Sequence, residues 1–171
     1  NNGNAPTAGS YEYYIINSTG SSGNTFNIAD SGTIGVDELI VNSNDQADVL
    51  TLNASGSGGG RTGTITVLTG ASGTETLTFT GIDALVVNTF AANDTVMVSD
   101  TAAPTVVDLG AGDDSITVGF VPLVPDAGNT NVEYPGGLLV GNSAGITNGN
   151  SNALVLFGGA NNDTFNIVHN V

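Results

Sequence analysis

The sequence predicts an all-β protein, a single-stranded right-handed parallel β-helix (β-solenoid) of about seven coils, with roughly 19–27 residues per coil. Three observations predict it: a recurring pentad of alternating apolar and polar residues, a second short apolar run upstream of each pentad, and Gly-, Asn- and Asp-rich segments between them. One such unit cannot bury its apolar face alone, so successive units are expected to stack.

Each pentad begins with an acidic residue or Asn, and its third and fifth positions are apolar. Its period of two is that of a strand with one buried face. Stacked coils would place the first apolar residue of each pentad in one interior column. That column is expected to contain Phe26, Leu50, Leu77, Val96, Ile116 and Phe165.

The clearest long-range repeat matches residues 35–42 with residues 81–88, and both segments are followed at equal distance by a pentad. The last two pentads are about two periods apart, which predicts a degenerate coil from Leu138 to Thr147. Asn17, Asn42 and Asn88 follow equivalent strands and are expected to form a ladder of hydrogen-bonded amides. The upstream apolar runs are residues 13–16, 39–41, 65–67, 85–87, 106–107, 138–140 and 154–156.

The domain organisation predicted is an extended N-terminal tail over residues 1–10 and one parallel β-helix domain over residues 11–171. Variable loops are expected at Ala54 to Gly60 and at Gly119 to Gly137, since loops can change length without disturbing a stack. The main alternative is a β-sandwich, which also has many short strands but does not require a repeated pentad.

The charge balance is strongly acidic, with 16 Asp and Glu residues against a single Arg and no Lys, and a net charge of −15. Phosphate backbones and anionic membranes would be repelled, so nucleic acid and anionic lipid are not expected partners. Membrane insertion is not expected either, because no apolar run approaches the roughly 18 residues that a membrane span needs. Divalent cations would be attracted, and Ca²⁺ prefers oxygen ligands such as these, so Ca²⁺ is the candidate cofactor. The Asn-, Thr-, Ser- and Gly-rich composition favours a secreted, bacterial-like protein in an extracellular or cell-surface setting.

Two segments, LGAGDDSIT at residues 109–117 and GGANNDTFN at residues 158–166, resemble the calcium-binding nonapeptide of RTX β-rolls. The resemblance implies that Asp114 and Asp163 bind Ca²⁺ and that Gly110, Gly112, Gly158 and Gly159 form the turns. Asn161 replaces the second glycine of the motif in the later copy. Asp113, Asp94 and Asp48 complete the candidate metal set. The alternative is that these aspartates hydrogen-bond the turn backbone without a metal.

More loosely, the whole chain resembles the solenoid repeats of bacterial adhesins and surface-layer proteins. No capping helix is evident, so the ends of the stack are expected to assemble end to end into a filament or surface layer, with a surface polysaccharide as a further partner. Catalysis is not expected, because Arg61 is the only strong base and His169 the only histidine. The alternatives are a calcium-dependent carbohydrate- or ice-binding adhesin domain, favoured by outward Thr residues, and a β-helix polysaccharide-degrading enzyme.

Overall fold

The computed structural model describes residues 11–19, 23–32, 35–56, 60–69, 73–119, 132–134, 138–140 and 152–167, so the tail predicted over residues 1–10 lies outside the described residues. The strands are β1 (Tyr11–Asn17), β2 (Thr25–Ala29), β3 (Val36–Asn42), β4 (Asp48–Ser55), β5 (Thr62–Thr69), β6 (Thr74–Thr80), β7 (Ala84–Asn88), β8 (Thr95–Val98), β9 (Thr105–Asp108), β10 (Ser115–Val118), β11 (Val132–Tyr134), β12 (Leu138–Val140), β13 (Leu154–Phe157) and β14 (Thr164–Ile167).

Two sheets contain all of these strands except β11 and β12. Sheet A has the order β1-β3-β7-β9-β13, and every neighbouring pair in it is parallel. Sheet B has the order β14-β10-β8-β4-β5-β6-β2 and mixes parallel and antiparallel pairs. In the part of the chain described, no helix is long and apolar enough to cross a membrane.

Parallel pairing joins the segments that the sequence repeat identifies. The chain passes from sheet A to sheet B between β7 and β8 and again between β9 and β10. Each sheet thereby gains a further parallel strand. Leu39 pairs with Leu85, and Leu50 pairs with Val96, so the repeated segments at residues 35–42 and 81–88 are direct neighbours. The predicted stack instead placed the coil that contains residues 65–67 between them. The predicted order of the coils is therefore wrong, although the repeated segments do pair in parallel.

The predicted single-stranded parallel β-helix is wrong, because β5 pairs antiparallel with both β4 and β6. The apolar run at residues 65–67 was expected to be the upstream strand of a coil, yet it lies within sheet B. Gly56 has a left-handed φ of 87° directly after β4, and Ser55 then pairs with Thr62. A glycine-containing reversal of this kind is typical of a hairpin, which keeps both strands in one sheet.

The predicted degenerate coil at Leu138 to Thr147 is also wrong where the structure describes it. Leu138–Val140 forms β12, which pairs antiparallel with β11 in a separate small sheet, whereas residues 141–147 lie outside the described residues. In sheet A, β13 instead pairs directly with β9. Sheet A therefore contains five strands, not the seven that seven coils would require.

The apolar core lies between the two sheets and uses alternate residues of each strand. Leu39, Leu85 and Val107 come from sheet A, and Leu50 and Val96 come from sheet B, and all are at most 2% exposed. The hairpins shift the predicted column, because Leu50 pairs with Val67 while Leu77 pairs with Ile65. The pentads face the core as expected, but not all in one line.

The predicted Asn ladder is confirmed on the outer face of sheet A. The Asn42 side-chain amide donates to Asn17 Oδ1 at 2.9 Å, and the Asn88 amide donates to Asn42 Oδ1 at 2.8 Å. Each amide thereby joins two neighbouring parallel strands at the point where the chain leaves sheet A.

Candidate functional site

Three turns of equal length connect sheet A to sheet B, at residues 89–94, 109–114 and 158–163. They stack on one another through Ala91, Ala111 and Ala160, which form successive parallel bridges. The Ala111 amide donates to the Phe90 carbonyl at 2.7 Å, and the Ala160 amide donates to the Gly110 carbonyl at 2.8 Å. The two segments that resemble RTX nonapeptides are the second and third of these turns.

The turn glycines allow this close stacking. A Cβ atom at Gly110 would lie 2.0 Å from the Phe90 carbonyl oxygen, and one at Gly159 would lie 1.8 Å from the Gly110 carbonyl oxygen. Gly112 has the same relation to the Ala92 carbonyl oxygen, at 1.9 Å. These glycines therefore have a packing role, and their predicted part in calcium binding stays a prediction.

Ala92 in the first turn has a φ of 85°, a left-handed conformation that costs a residue with a Cβ about 1 kcal/mol or more. We expect Ala92→Gly to raise the free energy of unfolding by about 0.5–1 kcal/mol, because glycine adopts this conformation without that cost. Urea denaturation measures the change. Ala91→Gly is the control, and it should destabilise the protein, since Ala91 has no left-handed φ to relieve. Equal effects of the two substitutions would contradict the interpretation.

The aspartates that begin the pentads form a ladder through the backbone. Asp94 Oδ1 accepts the Asp48 amide at 2.8 Å, Asp114 Oδ1 accepts the Asp94 amide at 2.7 Å, and Asp163 Oδ1 accepts the Asp114 amide at 3.2 Å. Each of these carboxylates thus accepts a backbone hydrogen bond at the start of the neighbouring strand in sheet B. This arrangement is the metal-free alternative that the sequence left open.

Two oxygens in this aspartate ladder have no hydrogen-bond partner, namely Oδ2 of Asp94 and Oδ2 of Asp114, and both are buried. Burial is the main reason that the pKa of Asp94 rises to about 6. The backbone hydrogen bond from Asp48 and the Thr89 side chain lower this pKa, and the neighbouring Asp114 and Asp48 carboxylates raise it further. Burial also raises the pKa of Asp114 above its usual range, with Asp163 and Asp113 contributing.

Asp113 belongs to a second, exposed ladder beside the first. Its amide donates to Asn93 Oδ1 at 2.9 Å, and its own Oδ1 accepts the Asn162 amide at 3.1 Å. Within the residues described, neither ladder brings three carboxylate oxygens within 4.8 Å of one another. Metal binding by Asp48, Asp94, Asp113, Asp114 and Asp163 therefore stays a prediction.

A different acidic cluster lies at the opposite end of the sheets. One carboxylate oxygen from each of Glu12, Asp30 and Asp37 lies within 4.8 Å of the other two. Glu12 on β1 pairs directly with Asp37 on β3, and Asp30 follows β2. The sequence pattern did not predict this cluster, although Glu12 and Asp37 share the inward positions of Tyr14 and Leu39.

Arg61, the only strong base of the sequence, is paired with Asp100 in an ion pair. Its guanidinium is largely covered, as its side chain is 15% exposed. The pair joins the start of β5 to the segment between β8 and β9.

The outward Thr residues lie on sheet B as the alternation predicts. Thr117, Thr51, Thr66, Thr76 and Thr25 fall in one row across the sheet, which Met97 interrupts. Ice or carbohydrate binding by this face stays a prediction.

At the end of the two sheets formed by β13 and β14, apolar side chains at core-facing positions are exposed. Ile116 and Val118 on β10 are 0% and 7% exposed, whereas their partners Phe165 and Ile167 on β14 are 45% and 58% exposed. Beyond β14, no further strand follows in sheet B among the described residues.

Comparisons of the chain with protein-family models, with curated proteins and with solved structures give no match.

Proposed function

We propose that this protein is a structural module that associates with further copies of itself through the ends of its two sheets. The observation that carries the proposal is the exposure of Phe165 and Ile167, which occupy core positions at the last strand of sheet B. Exposed apolar side chains beside an unpaired strand edge are a favourable surface for another strand.

The two ends of the stack have compatible strand directions. Strands β8, β10 and β14 run parallel to β4. Strand β5 is antiparallel to both β4 and β6, so β6 runs in the direction of β4, and β2 is parallel to β6. The strand β1 likewise runs parallel to β13 through sheet A. A second copy in the same orientation could therefore place its β1 beside β13 and its β2 beside β14.

The opposite end offers apolar partners for this contact. Tyr14, Ile16, Phe26 and Ile28 on β1 and β2 are only partly buried and pack against the core. A contact between two different ends is heterologous, so it leaves one free end of each kind and continues to propagate. The proposed product is a filament or layer, in the extracellular or cell-surface setting that the composition favours.

We expect Phe165→Asp to abolish association, because it places a charge in the proposed apolar contact. Thr164→Asp is the matched control, since it adds the same charge to the exposed outer side of the same strand. Sedimentation velocity over a wide range of protein concentration measures the effect. Salt should strengthen association of the wild type by screening a chain of net charge −15.

Electron microscopy of the same samples tests the form of the assembly. The wild type and Thr164→Asp should give linear or layered particles, and Phe165→Asp should give single particles. A wild-type protein that stays monomeric at high concentration and high salt would contradict the proposal. So would a Phe165→Asp variant that assembles as the wild type does.

A further inference from the structure

We propose that Glu12, Asp30 and Asp37 form a binding site for a single calcium ion at the β1–β2 end of the sheets. This acidic cluster is separate from the aspartates of the RTX-like turns. The proposal is independent of self-association, and it rests on the positions of these three side chains and on the burial and unpartnered oxygen of Asp37.

The geometry of the acidic cluster suits a common cation. Ca²⁺ binds oxygen ligands at about 2.3–2.6 Å, so two oxygens on one ion lie at most about 5 Å apart. The three carboxylates each supply an oxygen within 4.8 Å of the other two. They come from three different segments, since Glu12 lies on β1, Asp37 on β3 and Asp30 directly after β2.

The Asp37 carboxylate is the second observation that points to a ligand. Asp37 is 4% exposed, and its Oδ1 is buried without a hydrogen-bond partner. Leaving a buried polar oxygen unpaired is costly, and a charged one more so. The Asp37 backbone is nevertheless held by two hydrogen bonds to Asp83. Its amide donates to Asp83 Oδ2 at 3.1 Å, and its carbonyl accepts the Asp83 amide at 2.9 Å. The open oxygen therefore belongs to a well-held residue.

The Tyr14 hydroxyl lies beside the other two carboxylates, and no Lys or Arg side chain is available to pair with the cluster. The Tyr14 hydroxyl donates to Asp30 Oδ2 at 2.6 Å and lies 3.2 Å from Glu12 Oε2. Arg61, the only Lys or Arg residue of the chain, is paired with Asp100. The Tyr14 hydroxyl therefore lies between the Asp30 and Glu12 carboxylates, and Asp30 Oδ1 also accepts the Gly32 amide. A divalent cation would neutralise most of the charge of the cluster and give Asp37 Oδ1 a partner.

The pKa of Asp37 is raised, first by burial and then by the carboxylates of Asp30, Glu12 and Asp83. Asp37 therefore resists ionisation in the unligated site, and Ca²⁺ would have to displace a proton bound to it. Hard oxygen donors without nitrogen or sulfur favour Ca²⁺ or Mg²⁺, and ligands from three separate segments suit the less strict geometry of Ca²⁺.

The test is calcium titration of the full chain after treatment with EDTA, by calorimetry and by thermal melting. We expect one equivalent of Ca²⁺ to bind at this site in the wild type and to raise its melting temperature, with weaker binding of Mg²⁺. Asp37→Asn should weaken Ca²⁺ binding at least about tenfold, because it removes one of the three ligand charges. Terbium luminescence excited through tyrosine should fall in the same variant, since Tyr14 lies beside the ligands.

Two control variants separate this site from other carboxylates. Asp45→Asn changes an exposed aspartate elsewhere and should bind Ca²⁺ as the wild type does. Asp114→Asn should also retain this binding, and a loss in that variant alone would assign the ion to the aspartate ladder and overturn the proposal. Circular dichroism checks folding, and Glu12→Gln replaces Asp37→Asn if the latter does not fold. Unchanged Ca²⁺ affinity in the folded variant, or no binding by the wild type at millimolar Ca²⁺, would also overturn it.

Discussion

Gly110→Ala is expected to lower the free energy of unfolding by about 2–5 kcal/mol. Gly110 has a φ of 83°, which costs alanine about 1–2 kcal/mol, and a Cβ there would lie 2.0 Å from the Phe90 carbonyl oxygen. That carbonyl cannot move freely because it accepts the Ala111 amide at 2.7 Å. Relieving the overlap should cost a further 1–3 kcal/mol or so. Urea denaturation measures the total.

Gly23→Ala is the matched control for this prediction. Gly23 has a φ of 84°, nearly the same as Gly110, but a Cβ there would meet no atom within 4 Å. Its substitution should therefore cost only the conformational part, about 1–2 kcal/mol. The difference between the two variants measures the close approach of the stacked turns. Equal losses would show that the turns do not pack as closely as the structure indicates.

The second large effect is a pH dependence of stability that originates at Asp94. Its pKa is about 6 in the folded protein, against an ordinary value of 3.8, because the carboxylate is buried. Between these two pH values the folded state holds a proton that the unfolded state has lost. The free energy of unfolding therefore falls as the pH rises through this window, and the contribution of Asp94 is on the order of 3 kcal/mol.

Asp94→Asn should remove that contribution, since Asn cannot ionise and its Oδ1 can still accept the Asp48 amide. Urea denaturation in EDTA between pH 4 and pH 7 should show a much smaller loss of stability in Asp94→Asn than in the wild type. Asp113→Asn changes an exposed aspartate in the next of the stacked turns, and this variant should keep the wild-type pH dependence. The interpretation fails if the wild type and Asp94→Asn lose stability in parallel.

The alternating pattern was sufficient to predict which residues of the strands face the core. Alternation determines which face of a strand is buried, so Leu50, Val96 and Ile116 could be assigned to the core before the structure was known. The Asn ladder followed from the equal positions of Asn17, Asn42 and Asn88. Both predictions depend on local pattern and on a repeat, which a single sequence displays directly.

The antiparallel hairpins could not be predicted from the same pattern. A strand that crosses to the other sheet and one that turns back have the same alternation, so Ile65 and Val67 fit either arrangement. The Gly-rich segment after Ser55 was interpreted as a variable loop, although glycine between two apolar runs is also a hairpin signal. Sequence pattern alone does not decide the direction of the following strand.

The acidic cluster was missed because its members belong to three segments that only the fold brings together. Glu12 and Asp37 do carry a signal, since both occupy inward positions of strands whose other inward residues are apolar. An acidic residue at such a position is unfavourable without a compensating partner. Asp30 follows a strand of the other sheet and has no comparable pattern.

The two hairpins in sheet B have a consequence for how such a protein can grow. Sheet B has two more strands than sheet A, seven against five, yet β2 and β14 still run in the same direction. An odd number of added reversals would invert every strand on one side of the insertion. One sheet can therefore lengthen relative to the other in steps of two strands, with the chain polarity beyond the insertion preserved.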